Sequence, residues 1–90
     1  MSPIEETLFA LLSGLEPGKS LDPMTVARAV QPERWQRLLG QVRATAVGLA
    51  REGRIVILRH NKPADPDTFK GVYRIRLPAP GDILAHSPQT

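Results

Sequence analysis

The chain has 90 residues, no cysteine, four aromatic side chains (Phe9, Trp35, Phe69 and Tyr73) and a formal net charge of +3. This length holds one small domain whose core must come mostly from Leu, Ile, Val and Ala. Without cysteine there is no disulfide, thiolate metal site or thiol nucleophile, and neither a leader pattern nor a membrane-length apolar run is present, so a soluble, cytoplasmic, bacterial-type protein is expected.

The first helix opens on a capping box: Ser2 supplies the cap, Pro3 suits the first turn and Glu5 completes Ser-x-x-Glu. Ile4, Leu8, Leu11, Leu12 and Leu15 recur at helical spacing, and Gly14 and Pro17-Gly18 stop the helix. Lys19-Ser20-Leu21 is a short link that can add a third edge strand. Asp22-Pro23 starts a second helix by the same logic of acceptor followed by proline, with Val26, Ala27 and Val30 facing inward. Pro32 ends it near Val30 and opens the third helix, with Glu33 near the positive end of the helix dipole.

The third helix, residues 33–52, carries a broad apolar stripe of Trp35, Leu38, Leu39, Val42, Ala46, Leu49 and Ala50. Arg51 favours the last turn and Gly53 is a C-terminal stop. Two strands follow, over 54–60 and 71–77. In the second, Tyr73, Ile75 and Leu77 alternate with Arg74 and Arg76. In the first, Ile55, Val56, Ile57 and Leu58 are apolar on both faces, which suits a strand covered on both sides or one whose second face meets a partner. Ile55 and Ile57 are placed inward, opposite Ile75 and Leu77. Residues 61–70 have the turn chemistry of Pro63, Asp65-Pro66-Asp67 and Lys70-Gly71.

The predicted fold class is α+β: a winged helix-turn-helix of three helices followed by a two-stranded antiparallel β-hairpin, the wing. The winged-helix domain covers residues 1–80. Residues 81–90 form a flexible C-terminal tail with Ile83 and Leu84 as its anchors.

The ordered set Asp22-Pro23, Val26-Ala27-Arg28-Ala29, Trp35, Leu38, Val42-Arg43, Ala46, Leu49, Glu52-Gly53-Arg54-Ile55, Arg59, Asp65-Pro66, Gly71 and Arg74-Ile75-Arg76-Leu77 resembles a bacterial domain-of-unknown-function family, numbered 3253. The resemblance covers residues 5–77 and implies a winged-helix-like fold, with no established activity and no catalytic residues to carry over. The family's turn after the first strand carries a basic residue and a glycine, where this chain has His60-Asn61.

Charge is unevenly spread. Residues 1–22 hold Glu5, Glu6, Glu16 and Asp22 against Lys19, a net −3, whereas residues 34–76 hold ten Lys or Arg against Glu52, Asp65 and Asp67, a net +7. A basic half points to an anionic partner such as DNA, against the plainer reading of a solvated basic surface. In a helix-turn-helix the second helix of the motif enters the major groove and the wing follows phosphates. Arg37 and Gln41 of the third helix are then the candidate readers of guanine and adenine edges, flanked by Arg34 and Arg43 as further nucleic-acid-binding candidates, with Arg59, Lys62, Lys70, Arg74 and Arg76 contacting phosphates from the wing.

Gly40, Ala44 and Gly48 on the outward face cannot reach base edges, so weak sequence specificity is expected. They are either tolerated small residues or a strip for close approach by another chain or a nucleic-acid backbone. Trp35 reads as a packing residue. Some arginines can instead brace the wing by pairing with Asp65 or Asp67.

The alternative is a protein-interaction or dimerisation module on the same scaffold. No cofactor or metal is expected, because His60 and His86 lie far apart without further ligands. Ser13, Ser20 and Ser87 lie in no nucleophile motif, and Asp65 and Asp67 share one turn, so no enzyme is expected.

Overall fold

The computed structural model describes residues 2–16 and 18–78. Three helices, α1 (Pro3–Ser13), α2 (Pro23–Val30) and α3 (Trp35–Arg51), precede three short strands, β1 (Val56–Arg59), β2 (Lys62–Pro63) and β3 (Arg74–Arg76). This is the α+β winged-helix-like topology that the sequence predicts. The expectations for residues 81–90 fall outside the described residues.

The first two helices start where their caps say. Ser2 Oγ accepts the Glu5 N–H at 3.1 Å, and Asp22 Oδ1 accepts the Thr25 N–H at 2.7 Å. The third helix begins at Trp35, two residues later than predicted. Gln31 is extended (φ −147°, ψ 90°), as the residue before a proline tends to be, and residues 32–34 form a turn. Gln31 to Arg34 include no Ser, Thr, Asp or Asn that could cap an earlier start, and Arg34 takes the cap position without a side-chain cap bond. The other end is well defined. Gly53 adopts φ +76°, and the Arg54 N–H reaches back to the Leu49 carbonyl at 3.0 Å, a left-handed cap that glycine accepts without strain.

The core lies between the helices and one face of the sheet. Leu8 and Leu12 of α1, Val26 and Ala27 of α2, Val42 and Ala46 of α3, and Ile57 and Ile75 of the sheet are at most 1% exposed. Each larger side chain among them contributes about 1.5–3 kcal/mol by leaving water. No polar or charged residue is buried among the described residues.

The central strand is β1, in the order β2-β1-β3. Its pairing with β3 is antiparallel, Val56 with Arg76, Ile57 with Ile75 and Leu58 with Arg74. The predicted inward set Ile55, Ile57 and Ile75 is correct. Leu77 is not inward: it is 42% exposed, because the ladder ends at the Val56–Arg76 rung and nothing draws the chain further across the core. Val56 and Leu58 are also buried, so β1 is covered on both faces, one of the two readings of its doubly apolar sequence. The link before α2 adds a single rung, with Leu21 and Ile75 exchanging both backbone bonds at 2.8 Å.

The wing departs from a plain hairpin with one long loop. His60 (φ 53°) and Asn61 (φ 66°) form a two-residue turn that returns the chain as β2, pairing Arg59 with Lys62 and Leu58 with Pro63. Two consecutive positive φ values are the requirement of a type I′ turn, which matches the twist of the flanking strands. The chain then makes an excursion over 64–73, braced by Asp65, whose Oδ1 accepts the Asp67 N–H at 2.8 Å.

Two stability predictions follow from these local geometries. Partial burial alone would raise the Asp22 pKa, but hydrogen bonds from the Thr25 hydroxyl and N–H, with Arg74 and Arg28 nearby, hold it below its ordinary value. A depressed carboxylate stabilises the fold above its unfolded pKa and loses that contribution as pH falls through the folded pKa. Asp22→Ala should therefore cost about 1 kcal/mol in urea denaturation at neutral pH, a difference that shrinks as pH falls through the folded pKa. Replacing His60-Asn61 by Asn-Gly should raise stability by about 1 kcal/mol, since a histidine is strained at positive φ.

Candidate functional site

The exposed side of α3 presents Arg37, Gly40, Gln41, Ala44 and Arg51, as the periodicity predicts, whereas Gly48, expected with them, is half-buried. Arg34 stands at its head, so Arg34, Arg37 and Gln41 fall on one stripe at helical spacing. All three are exposed, and the two arginines carry no ion pair among the described residues. Lys62 on β2 and Lys70 in the excursion are likewise exposed and without an ion pair among the described residues.

Of the remaining arginines of the predicted set, Arg43, Arg59 and Arg74 are engaged in holding the wing. Arg43, half-buried, points from α3 into the wing: its Nη2 donates to the Phe69 carbonyl at 2.9 Å, and its guanidinium lies 4.0 Å from the Phe69 ring centroid and 5.9 Å from that of Tyr73. Phe69 and Tyr73 meet edge to face at 5.0 Å. Arg59 donates through Nη1 to the Val72 carbonyl, and its guanidinium passes Gly71, where a Cβ would come within 3.3 Å of Nη1. Gly71 has φ +84°, so the turn and the close approach both favour glycine. Arg74 binds Ser20, Nε to Oγ at 2.7 Å and Nη2 to the carbonyl at 2.9 Å. Arg76 donates to the Leu77 carbonyl at 3.1 Å.

The pairing expected between a strand arginine and Asp65 or Asp67 takes another form. The partner of Asp67 is Arg51, at the end of α3, which donates from Nε at 2.6 Å. Both side chains are more than half exposed, so the pair contributes about 0–1 kcal/mol. Arg54 ties the acidic first helix to this side of the molecule, 3.0 Å from Glu5 and over the Phe9 ring.

Beside the α3 stripe lies a groove of about 800 Å³ that sequence reasoning does not reveal. Trp35, Leu39 and Gly40 of α3 line it, with Met24 of α2 and Val72 and Tyr73 of the wing. Its charged lining is Asp22, Arg43 and Arg74. Trp35 packs against the core as predicted, but only half-buried, and the Arg28 guanidinium lies 4.7 Å from its ring. The Tyr73 phenol is pushed up to about 12 by burial, which Arg43 opposes, so it stays neutral at physiological pH. Among the described residues, no three His, Cys, Asp or Glu side chains gather as metal ligands, and no helix is long and apolar enough to cross a membrane.

Arg43→Ala should lower stability by about 2 kcal/mol and raise amide exchange in residues 64–73, because it removes both a charged hydrogen bond and a ring contact. Arg43→Lys should recover little, since an ammonium lacks the planar fork that stacks on Phe69 while donating to its carbonyl.

No curated protein matches the chain. The model of the family described as "Protein of unknown function (DUF3253)" matches residues 1–78, which takes in all three helices and the whole sheet. With its own winged-helix-like arrangement of three helices and a small antiparallel sheet, the chain therefore belongs to the DUF3253 family.

Proposed function

We propose that this protein is a small nucleic-acid-binding winged helix of low sequence specificity, acting in the bacterial cytoplasm without catalysis. The observation that carries the reading is the stripe Arg34, Arg37 and Gln41 on the exposed side of the third helix, with cations that no described carboxylate neutralises. In helix-turn-helix docking this helix faces the groove, and a bare guanidinium or amide at one-turn spacing meets guanine or adenine edges. Lys62 and Lys70 add phosphate contacts from the wing. Arg43, Arg59 and Arg74 act indirectly, by setting where the wing lies. Their acceptors are neutral, so their charge still adds to the local positive field. Low specificity follows from Gly40, Ala44 and Gly48, which offer no reach toward bases.

A second reading, a protein-interaction or dimerisation module, is favoured by the apolar groove beside that stripe.

The test is binding of labelled double-stranded and single-stranded DNA by fluorescence anisotropy over a salt series. Log affinity should fall linearly with log salt. Lys62→Ala should weaken binding across sequences and flatten the slope by about 1, whereas Arg37→Ala should weaken binding and relax what base preference there is. Affinity that ignores ionic strength would remove phosphate neutralisation as the basis of binding.

A further inference from the structure

The geometry points to the groove between α2, α3 and the wing as a docking site for an acidic, amphipathic segment of a partner protein. This deepens the protein-interaction reading and rests on it; the nucleic-acid reading takes its base and phosphate contacts from the neighbouring stripe of α3 and from Lys62 and Lys70, while Arg43 and Arg74 of the lining lend it only charge.

The groove gathers exposed apolar surface. Large hydrophobic side chains exposed among the described residues are Met24, Val72 and Leu77, and the first two line the groove. Val72 is 81% exposed at its wing side. Its volume lies within the roughly 300–1,000 Å³ of sites that bury apolar groups. Gly40 leaves the α3 backbone bare at this point, and a Cβ built there meets nothing within 4 Å. A partner side chain can therefore pack directly against the helix, with Trp35 beside it.

Charge selects among occupants. The lining holds two guanidinium groups, Arg43 and Arg74, against the single carboxylate of Asp22. That carboxylate, held by the N–H and hydroxyl of Thr25, keeps its charge beside Arg74 and Arg28 and offsets one cation, which leaves the lining net positive. Arg28 adds a third cation, stacked on Trp35. A nucleic-acid backbone matches the charge but not the apolar lining. A basic segment matches the lining but not the charge. Large apolar anchors flanked by Asp or Glu match both, in the manner of an amphipathic segment laid into a groove.

The test is selection of short random peptides displayed on phage against the full chain. Synthetic versions lacking tryptophan are then titrated while following Trp35, the sole tryptophan of the protein. Selected peptides should combine two or more large apolar residues with Asp or Glu and shift the Trp35 emission. Gly40→Leu, which fills the groove, and Val72→Asp, at its exposed side, should each weaken them by about tenfold or more. Gly48→Leu, on the same helix outside the groove lining, should leave affinity unchanged. Circular dichroism and thermal melts confirm that each variant is folded.

Failure to enrich any peptide, enrichment of Lys- and Arg-rich sequences, or equal binding by Gly40→Leu would overturn the proposal. So would an oligonucleotide, rather than a peptide, whose effect on Trp35 emission is lost in Gly40→Leu, because the groove would then belong to the nucleic-acid surface. Salt-independent DNA binding with intact peptide binding would defeat the earlier reading and leave this one standing.

Discussion

The relation between the third helix and the wing rests on Arg43. Strands of two to four residues make few ladder bonds, and the excursion over 64–73 has no regular structure to stiffen it. A single guanidinium from α3 meets this need in three ways: it donates to the Phe69 carbonyl, lies against the Phe69 ring and approaches Tyr73. Both aromatic residues are buried in the core cluster, so the contact joins the wing to the hydrophobic centre. A charged donor to a part-buried carbonyl is worth more than a neutral one, and an arginine does this while stacking where a lysine does not. The groove between α3 and the wing, which Arg43 and Tyr73 both line, takes its shape from this contact.

The distribution of arginines separates two tasks that composition alone merges. Arg43, Arg59 and Arg74 bind carbonyl or hydroxyl groups and fix backbone positions. Arg51 and Arg54 meet carboxylates and neutralise part of the basic half locally. Arg34, Arg37, Lys62 and Lys70 have no ion pair among the described residues. The basic half is therefore partly architecture, and its apparent capacity for an anionic partner is smaller than its residue count.

Much of the fold was legible because it is written in local chemistry. Ser2 and Asp22 cap as their neighbours predict, and Gly53 ends α3 in the conformation that glycine favours. The alternation of β3 and the inward placing of Ile55 and Ile57 identify the core faces of the two strands, while the rung that pairs Ile57 with Ile75 is set by the fold. The misses have physical causes too. Trp35 opens α3 because the preceding residues offer no cap, and strand periodicity cannot say that Leu77 lies beyond the last rung. His60-Asn61 lacks the glycine that would mark a tight turn, so β2 was hidden inside a loop. Of the candidate site, the exposed stripe was readable from helical spacing. The partners of Arg43, Arg59 and Arg74 lie 13 to 54 residues away in sequence, and the groove joins three segments, so neither leaves a local signal.

The sheet is also sealed at both margins. On one side Leu21 occupies the hydrogen-bonding groups of Ile75. On the other, the outermost strand is two residues long and ends in Pro63, which has no N–H to offer. A foreign strand finds almost no template to extend, which guards a small basic domain against edge-to-edge aggregation. The described strands thus favour association through side chains over β-augmentation.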